Sequence, residues 1–233
     1  MAELVVALDF PTGIECLSFV GKISTSPVWY KVGLELFTAE GLALLHNLVG
    51  KKNKVFLDLK FHDIPNTVRG ASRSVTKLGI DMFTIHLSGG LEMAKAAIIG
   101  REEALTALPT HMPQPLVMGV TMLTSDNGKN AEETLKRVVD LAIVGKEAGL
   151  DGVVCSGHEA KAVKEACGGD FLCLCPGIRF AGSERLDDQA RVCTPEQAVN
   201  LGADFLVMGR PITKDANPKE KIEQVLGVIA CSL

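Results

Sequence analysis

Charged residues with the spacing of a catalytic site follow an apolar segment in the first third of the chain. Asp58 and Lys60 are separated by one residue, and Asp63 follows shortly after them. Alternate residues of a β-strand point to the same face, so Asp58 and Lys60 would project together while Leu57 and Leu59 pack on the other side. An ammonium group held beside a carboxylate can stabilise negative charge that develops in a bound substrate. The pair therefore predicts a reaction site at the end of a strand.

An ion-pair network that only holds the protein together is the alternative interpretation of these charges. A buried charge is costly unless it is compensated, and Lys31 on the neighbouring apolar segment can supply that compensation. Several charges at the ends of adjacent strands favour a functional site over a structural one. Asp63 has an alternative of its own: because Ile64 and Pro65 follow it, its side chain could be the N-cap of a helix.

Eight short apolar segments alternate with amphipathic ones along the chain and are predicted to be strands. Several are continuous apolar runs, which is typical of parallel strands covered on both faces. Eight β/α units predict an α/β fold with a single (β/α)₈ TIM barrel that spans residues 1–233 as one catalytic domain. The predicted strands are Leu4–Asp9, Val28–Val32, Lys54–Lys60, Asp81–His86, Leu116–Thr121, Gly152–Ser156, Phe171–Cys175 and Asp204–Met208.

The segments between the strands have the spacing of helices. Leu34–Leu48 and Ala131–Ala148 carry apolar residues three to four apart. A glycine and a short loop that leads into the next strand recur at Gly79, Gly149 and Gly202, where each glycine is predicted to end a helix. The irregular stretch Thr106–Pro115 is predicted to be a surface connection. A third helix carries the stripe Val68, Ala71, Val75 and Leu78.

A phosphate site is predicted in the loops after strands seven and eight, where such barrels commonly bind phosphate. Gly209 lets backbone amides approach an anion, and Arg210 beside it can bind phosphate through two hydrogen bonds. Arg179, after strand seven, is a second candidate. A surface arginine in a turn is the alternative for both arginines. The polar stretch Pro176–Gln189 in the same region is predicted to be a lid rather than a mere insertion.

Composition excludes several classes of partner. The formal net charge of −4, with no long run of one sign, argues against nucleic acid. No secretory pattern begins the sequence, and no apolar run approaches the roughly 18–20 residues of a membrane span. The seven scattered cysteines contain no C-x-x-C, so free thiols in a reducing cytoplasm are expected. The five histidines form no metal-binding pattern, and dinucleotide and P-loop motifs are absent. We expect neither metal nor cofactor.

The charged residues belong to a longer motif that resembles the signature of the orotidine 5′-monophosphate decarboxylase family, in its bacterial type. The wider superfamily shares only D-x-K-x-x-D, whereas the extension H-D-I-P-N-T-V is more specific. The motif is Asp58-Leu59-Lys60-Phe61-His62-Asp63-Ile64-Pro65-Asn66-Thr67-Val68. Further matches are Ala7-Leu8-Asp9, Lys31-Val32-Gly33, Leu123-Thr124-Ser125, Pro176-Gly177-Ile178-Arg179, Asp188-Gln189 and Gly209-Arg210-Pro211-Ile212.

The resemblance implies a function and a role for each residue. It implies cofactor-free decarboxylation of orotidine 5′-monophosphate to uridine 5′-monophosphate by a cytoplasmic homodimer. Lys31, Asp58, Lys60 and Asp63 would form a charged tetrad, with Lys60 as the proton donor and with Asp63 and Thr67 supplied by the other subunit. Asp9 and Lys31 would contact the ribose, Thr124 the pyrimidine, and Arg179, Gln189, Gly209 and Arg210 the phosphate.

The chemistry of this reaction suits those residues. Loss of CO₂ from carbon 6 leaves an electron pair in an in-plane orbital that the ring π-system cannot delocalise. An enzyme without a cofactor must stabilise this carbanion electrostatically, and the Lys60 ammonium can do so before it delivers its proton. Asp58 would lie near the departing carboxylate and be relieved of repulsion. Binding of the distant phosphate would drive lid closure, so that its binding energy serves the chemical step.

Two other kinds of protein are alternatives to this decarboxylase: a Mg²⁺-dependent enzyme of the same superfamily and a sensor without catalytic activity. A 3-keto-gulonate 6-phosphate decarboxylase or a hexulose-phosphate synthase would share D-x-K-x-x-D and the phosphate site but use Mg²⁺, and the I-P-N-T-V extension argues against both. A phosphate-binding barrel that has lost catalysis and acts as a sensor would be free to lose its costly buried charges. All four charges are present, which argues against a sensor.

Overall fold

Eight parallel strands close into a barrel in sequence order within the residues described by the computed structural model, which are 1–110, 112–122, 130–181 and 192–231. This confirms the predicted (β/α)₈ fold. The ring closes because β1 pairs with both β2 and β8, so that Val5 lies opposite Trp29 on one side and Val207 on the other. The strands are β1 Glu3–Ala7, β2 Trp29–Gly33, β3 Lys54–Phe61, β4 Met82–His86, β5 Leu116–Val120, β6 Gly152–Val154, β7 Leu172–Cys175 and β8 Phe205–Met208.

Helices surround the barrel. The predicted helix Leu34–Leu48 is longer and is interrupted at Gly41, whose φ of 62° and ψ of −147° are not helical. Gly79, Gly149 and Gly202 each follow a helix with positive φ, as the sequence predicts. Thr106 is still helical, so the irregular connection begins later than expected. The helices are α1 Gly13–Ile23, α2 Leu34–Gly50, α3 Pro65–Thr76, α4 Gly90–Ala107, α5 Ala131–Glu147, α6 Ala160–Cys167, α7 Pro195–Asn200, α8 Arg210–Thr213 and α9 Pro218–Cys231, with a 3₁₀ turn at Leu87–Gly89.

Two apolar layers result from the alternation of side chains along the strands. One set of side chains packs between strands and helices in the larger core, in which Leu57 is fully buried. A smaller cluster fills the inside of the barrel. The interior is therefore closed, and ligands have access only at its ends. The inner cluster consists of Val5, Ala7, Trp29, Phe56, Met82, Met118, Leu174, Phe205 and Val207.

Strand ends differ from the predicted ones by at most two residues. The largest consequence concerns Asp9, which lies beyond the end of β1 rather than on it. Among the described helices, none is both long enough and apolar enough to cross a membrane.

Candidate active site

A cavity of about 270 Å³ lies at the carboxyl ends of the strands. Charged side chains from the first three β/α units form one wall, apolar side chains from β5–β7 contribute another, and two arginines lie in the loops after β7 and β8. Its lining residues are Ala7, Asp9, Lys31, Phe56, Asp58, Lys60, Val120, Met122, Val154, Leu174, Pro176, Gly177, Arg179, Val207, Gly209 and Arg210.

The charged wall is a row in which acidic and basic groups alternate. The Lys31 ammonium lies 3.1 Å from Oδ1 of Asp9 and 3.6 Å from Oδ2 of Asp58. The Lys60 ammonium donates a hydrogen bond of 2.9 Å to Oδ1 of Asp58. Asp58 is therefore held between two lysines, with only 13 % of its side chain exposed. Each charge in this row has a partner of opposite sign, which offsets the loss of hydration.

Asp58 is ionised in this setting. Burial alone would raise the pKa of its carboxyl group, because it disfavours the charged form. The positive charges of Lys31 and Lys60, with hydrogen bonds from Lys60 and Thr84, outweigh burial and lower this pKa below its usual value. The cavity therefore holds a fixed negative charge beside the Lys60 ammonium.

An irregularity in β3 aims the charged side chains. The pairing of β3 with β4 is regular at Leu57 and shifts before Phe61. Within this shift, Lys60 adopts a φ of 52°, a left-handed conformation that is uncommon for residues other than glycine. Such bulges re-aim side chains at functional sites. Asp58 and Lys60 both line the cavity, as their spacing predicts, while Leu59 packs against the outer core.

Gly33 makes room for the charged row at the end of β2. A Cβ atom at this position would lie 3.1 Å from the Lys31 nitrogen and 3.5 Å from Oδ1 of Asp9. A side chain here would press on the ion pair between those two residues. Glycine thus leaves the Lys31 ammonium room to lie between Asp9 and Asp58 without adjustment.

The apolar wall was not predicted from the sequence. It includes the side chains of Val120, Met122, Val154 and Leu174, which lie across the barrel from the charged strands. In the sequence these residues resemble ordinary core positions, and only their place at strand ends could have marked them. A wall without polar groups lowers the local dielectric constant, which strengthens the field of the lysines.

The loops after β7 and β8 bring Arg179 and Arg210 to the same cavity, with Gly209 beside them. Arg179 is 7 % exposed, and its backbone N–H donates to the Cys193 carbonyl at 3.0 Å. Burial, and then the positive charge of Arg210, lower the pKa of Arg179. An anion bound between these two guanidinium groups would relieve their mutual repulsion.

Asp63 and Thr67 lie outside this cavity. Both line a separate surface pocket that they share with Lys60 and His62. Helix α3 begins at Pro65 with Ile64 as its N-cap, and Asp63 instead accepts a 2.7 Å hydrogen bond from the Ile64 N–H. The interpretation of Asp63 as the N-cap is therefore wrong.

Two predicted site residues, Thr124 and Gln189, lie outside the described residues, as do residues 182–189 of the predicted lid. The described part of that stretch includes Arg179 and ends at residue 181.

Within the described residues, no three His, Cys, Asp or Glu side chains are grouped so as to hold a metal ion. His62 and His86 stack on each other with ring centroids 5.4 Å apart.

Taken together, this end of the barrel has the geometry of an enzyme site for a small anionic molecule, with fixed charges at one wall and anion-binding groups at the loops. The chain belongs to the family described as Orotidine 5′-phosphate decarboxylase / HUMPS, whose model matches residues 2–225. The predicted family resemblance is confirmed.

Individual relatives carry the first of these two names. The orotidine 5′-phosphate decarboxylase of Nitratidesulfovibrio vulgaris (strain DP4) is 47 % identical over 234 residues, which cover 99 % of this chain and 98 % of that protein. The enzyme of the same name from Legionella pneumophila (strain Paris) is 46 % identical, with 96 % and 97 % covered. The crystal structure of orotidine 5′-phosphate decarboxylase from Lactobacillus acidophilus is 35 % identical and superposes with a TM-score of 0.85 over 98 % of this chain and 99 % of that one.

Proposed function

We propose that this chain, as one catalytic domain, decarboxylates orotidine 5′-monophosphate to uridine 5′-monophosphate, the last step of de novo pyrimidine nucleotide synthesis. The observation that carries the proposal is the Lys60 ammonium, 2.9 Å from an ionised Asp58 at the cavity wall. The names of the relatives support this activity over that of the Mg²⁺-dependent alternatives. We place the enzyme in the cytoplasm.

Substrate binding divides between two regions of the cavity. The phosphate binds Arg179 and Arg210, whose mutual repulsion it relieves, and the backbone at Gly209 approaches it closely. Asp9, whose carboxylate lies close to Gly209, and Lys31 beside it contact the ribose hydroxyl groups. This arrangement directs carbon 6 of the pyrimidine toward Lys60, and the binding energy of the phosphate holds it there.

The chemical step requires one bond to break and one to form. The bond from carbon 6 to the carboxylate breaks, both electrons remain on carbon 6, and CO₂ leaves. The Lys60 ammonium stabilises this carbanion and transfers one proton to it, which yields uridine 5′-monophosphate and neutral Lys60. Lys60 then regains a proton from solvent. Asp58 lies beside the substrate carboxylate, so CO₂ departure removes a repulsion between two negative groups.

The test is loss of orotate absorbance from orotidine 5′-monophosphate in excess EDTA. We expect full turnover, because the proposed chemistry uses the ammonium of Lys60 and needs neither a metal ion nor an organic cofactor. Activity that disappears with EDTA and returns with Mg²⁺ would contradict the proposal. It would favour a 3-keto-gulonate 6-phosphate decarboxylase or a hexulose-phosphate synthase.

We further propose that the enzyme is a homodimer in which each site borrows Asp63 and Thr67 from the partner. Both residues lie outside their own cavity, on a separate pocket at the start of α3. Ile64 beside them is an exposed apolar side chain that a partner subunit would bury. A two-fold interface across this region would complete two sites at once.

Complementation tests the shared site. Lys60→Ala and Asp63→Ala, each nearly inactive alone, are unfolded and refolded together. In a mixed dimer, one site then carries both defects and the other is wild type. Random pairing makes half of the dimers mixed, so about a quarter of wild-type activity returns if neither mutation biases pairing. No recovery, with mixed dimers shown to have formed, would show that Asp63 serves its own chain.

A further inference from the structure

Thr84 lies in the middle of β4, is fully buried and does not line the cavity. Its hydroxyl nevertheless contacts both catalytic residues of β3. The Lys60 backbone N–H donates to Thr84 Oγ1 at 2.9 Å, and Thr84 Oγ1 donates to Asp58 Oδ1 at 2.9 Å. One side chain behind the charged row therefore connects the backbone of one residue with the carboxylate of the other.

The conformation of Lys60 explains why a side chain is needed at this point. The register of β3 on β4 shifts between Leu57 and Phe61, so Lys60 bonds to a hydroxyl where a regular strand would bond to a carbonyl. A left-handed conformation at a lysine, here with φ of 52°, persists only when the surrounding structure holds it. The hydroxyl of Thr84 supplies that restraint and satisfies a backbone N–H that would otherwise lack a partner.

The direction of each hydrogen bond follows from the number of protons. An ionised carboxylate only accepts, so the single hydroxyl proton of Thr84 goes to Asp58. The oxygen lone pairs are then available to the Lys60 N–H. Asp58 Oδ1 also accepts from the Lys60 ammonium at 2.9 Å. The same carboxylate oxygen is thus held from behind by Thr84 and faces Lys60 in front.

We propose that Thr84 is a positioning residue for the decarboxylation: its hydroxyl holds the backbone of Lys60 and the carboxylate of Asp58 in the arrangement that places the ammonium at the reacting carbon. This inference rests on the proposed function. Thr84 acts through Lys60 and Asp58 and does not touch the substrate, so its contribution falls on the chemical step and not on phosphate binding.

Two substitutions and a matched control test this role. Thr84→Val keeps the shape of the side chain but removes the hydroxyl, and we expect kcat on orotidine 5′-monophosphate to fall about ten- to hundredfold with KM nearly unchanged. Thr84→Ser restores the hydroxyl and should recover most of kcat. Thr76→Val removes another fully buried hydroxyl, which donates to the Ser72 carbonyl at 2.8 Å near the end of α3, and should leave kcat unaltered.

Several results would overturn the proposal. They are a Thr84→Val enzyme with wild-type kcat, a defect confined to KM, or a Thr84→Ser enzyme as impaired as Thr84→Val. Should Thr84→Val not fold, Thr84→Ala removes the same hydroxyl without placing a methyl group beside the Asp58 carboxylate, and the same expectations apply. A wild-type enzyme inactive on orotidine 5′-monophosphate would refute the proposed function instead. The crystal structure of the variant then decides: an unmoved Lys60 backbone and Asp58 carboxylate would refute the positioning role as well.

Discussion

Replacing Asp58 with asparagine removes the negative charge between two lysines while keeping the size of the side chain. The carbonyl of asparagine can still accept hydrogen bonds from Thr84 and Lys60. The change therefore isolates the effect of charge. It removes one ion-pair partner from Lys31 and one from Lys60, while Lys31 keeps its contact with Asp9. We expect the folded state to lose stability at neutral pH.

The magnitude follows from the two ion pairs. At an effective dielectric constant of about 20, a pair 2.9 Å apart contributes about 5–6 kcal/mol and a pair 3.6 Å apart about 4–5 kcal/mol. Desolvation of the buried carboxylate offsets several kcal/mol of this attraction. Because the pKa of Asp58 is lowered, the ionised form is favoured on balance. With hydrogen bonds retained, we expect Asp58→Asn to reduce the free energy of unfolding by about 2–4 kcal/mol.

The dependence on pH identifies the cause. A carboxyl group whose pKa is lower in the folded state than in the unfolded state stabilises the fold above its unfolded pKa, and this contribution disappears as pH falls through the folded pKa. The pKa of Asp58 is lowered from 3.8, so the difference between wild type and Asp58→Asn should be constant from about pH 5 to 8 and close only below about pH 4.

Urea unfolding at one fixed protein concentration measures this difference, with the fluorescence of Trp29, the single tryptophan, as the probe. Trp29 is 6 % exposed inside the barrel, so its emission reports loss of the core. Asp170→Asn, which removes a negative charge from an exposed turn, is the matched control and should change stability little. Equal stability of Asp58→Asn and wild type at pH 7, or a difference that persists at low pH, would show that the charge of Asp58 does not stabilise the fold.

Two further predictions concern the phosphate site and the packing of α3. Arg210→Ala leaves the charged row intact and should lower kcat/KM for the full nucleotide at least about tenfold; unchanged kcat/KM would contradict its role in phosphate binding. Gly100→Ala places a methyl group so close to the Arg69 carbonyl of α3 that the two clash. It should therefore reduce the free energy of unfolding by about 1–3 kcal/mol. Gly227→Ala, where the added methyl meets nothing within 4 Å, should raise it by about 0.5–1 kcal/mol; similar values for both variants would show that α3 and α4 are not so closely packed.

Local patterns in the sequence predicted much of the fold and of the charged wall. Two residues one apart on a strand must share a face, so Asp58 and Lys60 could be placed together without any tertiary information. The apolar runs likewise predicted every strand of the barrel to within two residues at each end. Both predictions depend only on residues that are neighbours in the sequence, so they need no knowledge of tertiary contacts.

Long-range contacts could not be predicted in this way. Thr84 is 24 residues from Lys60 and belongs to no recognised motif, and the left-handed backbone of Lys60 results from the mismatch between two strands. Met122 and Leu174 have the character of core residues, and only their place at strand ends could have marked them as a cavity wall. For Asp63 the local pattern was misleading, because the helix takes Ile64 as its N-cap and begins at Pro65.

The Lys60 ammonium is proposed to stabilise and protonate the carbanion. Turnover by two lysine variants of β3 tests this role. Lys54, at the other end of β3, pairs with Asp81 at 2.8 Å and is 59 % exposed, so Lys54→Ala controls for loss of a lysine from this strand. Release of CO₂ from orotidine 5′-monophosphate labelled at the carboxyl carbon is measured for wild type and both variants. We expect wild type and Lys54→Ala to turn over alike and Lys60→Ala to lose at least about a thousandfold in kcat while remaining folded. A folded Lys60→Ala enzyme with a kcat within tenfold of wild type would show that Lys60 does not have this role.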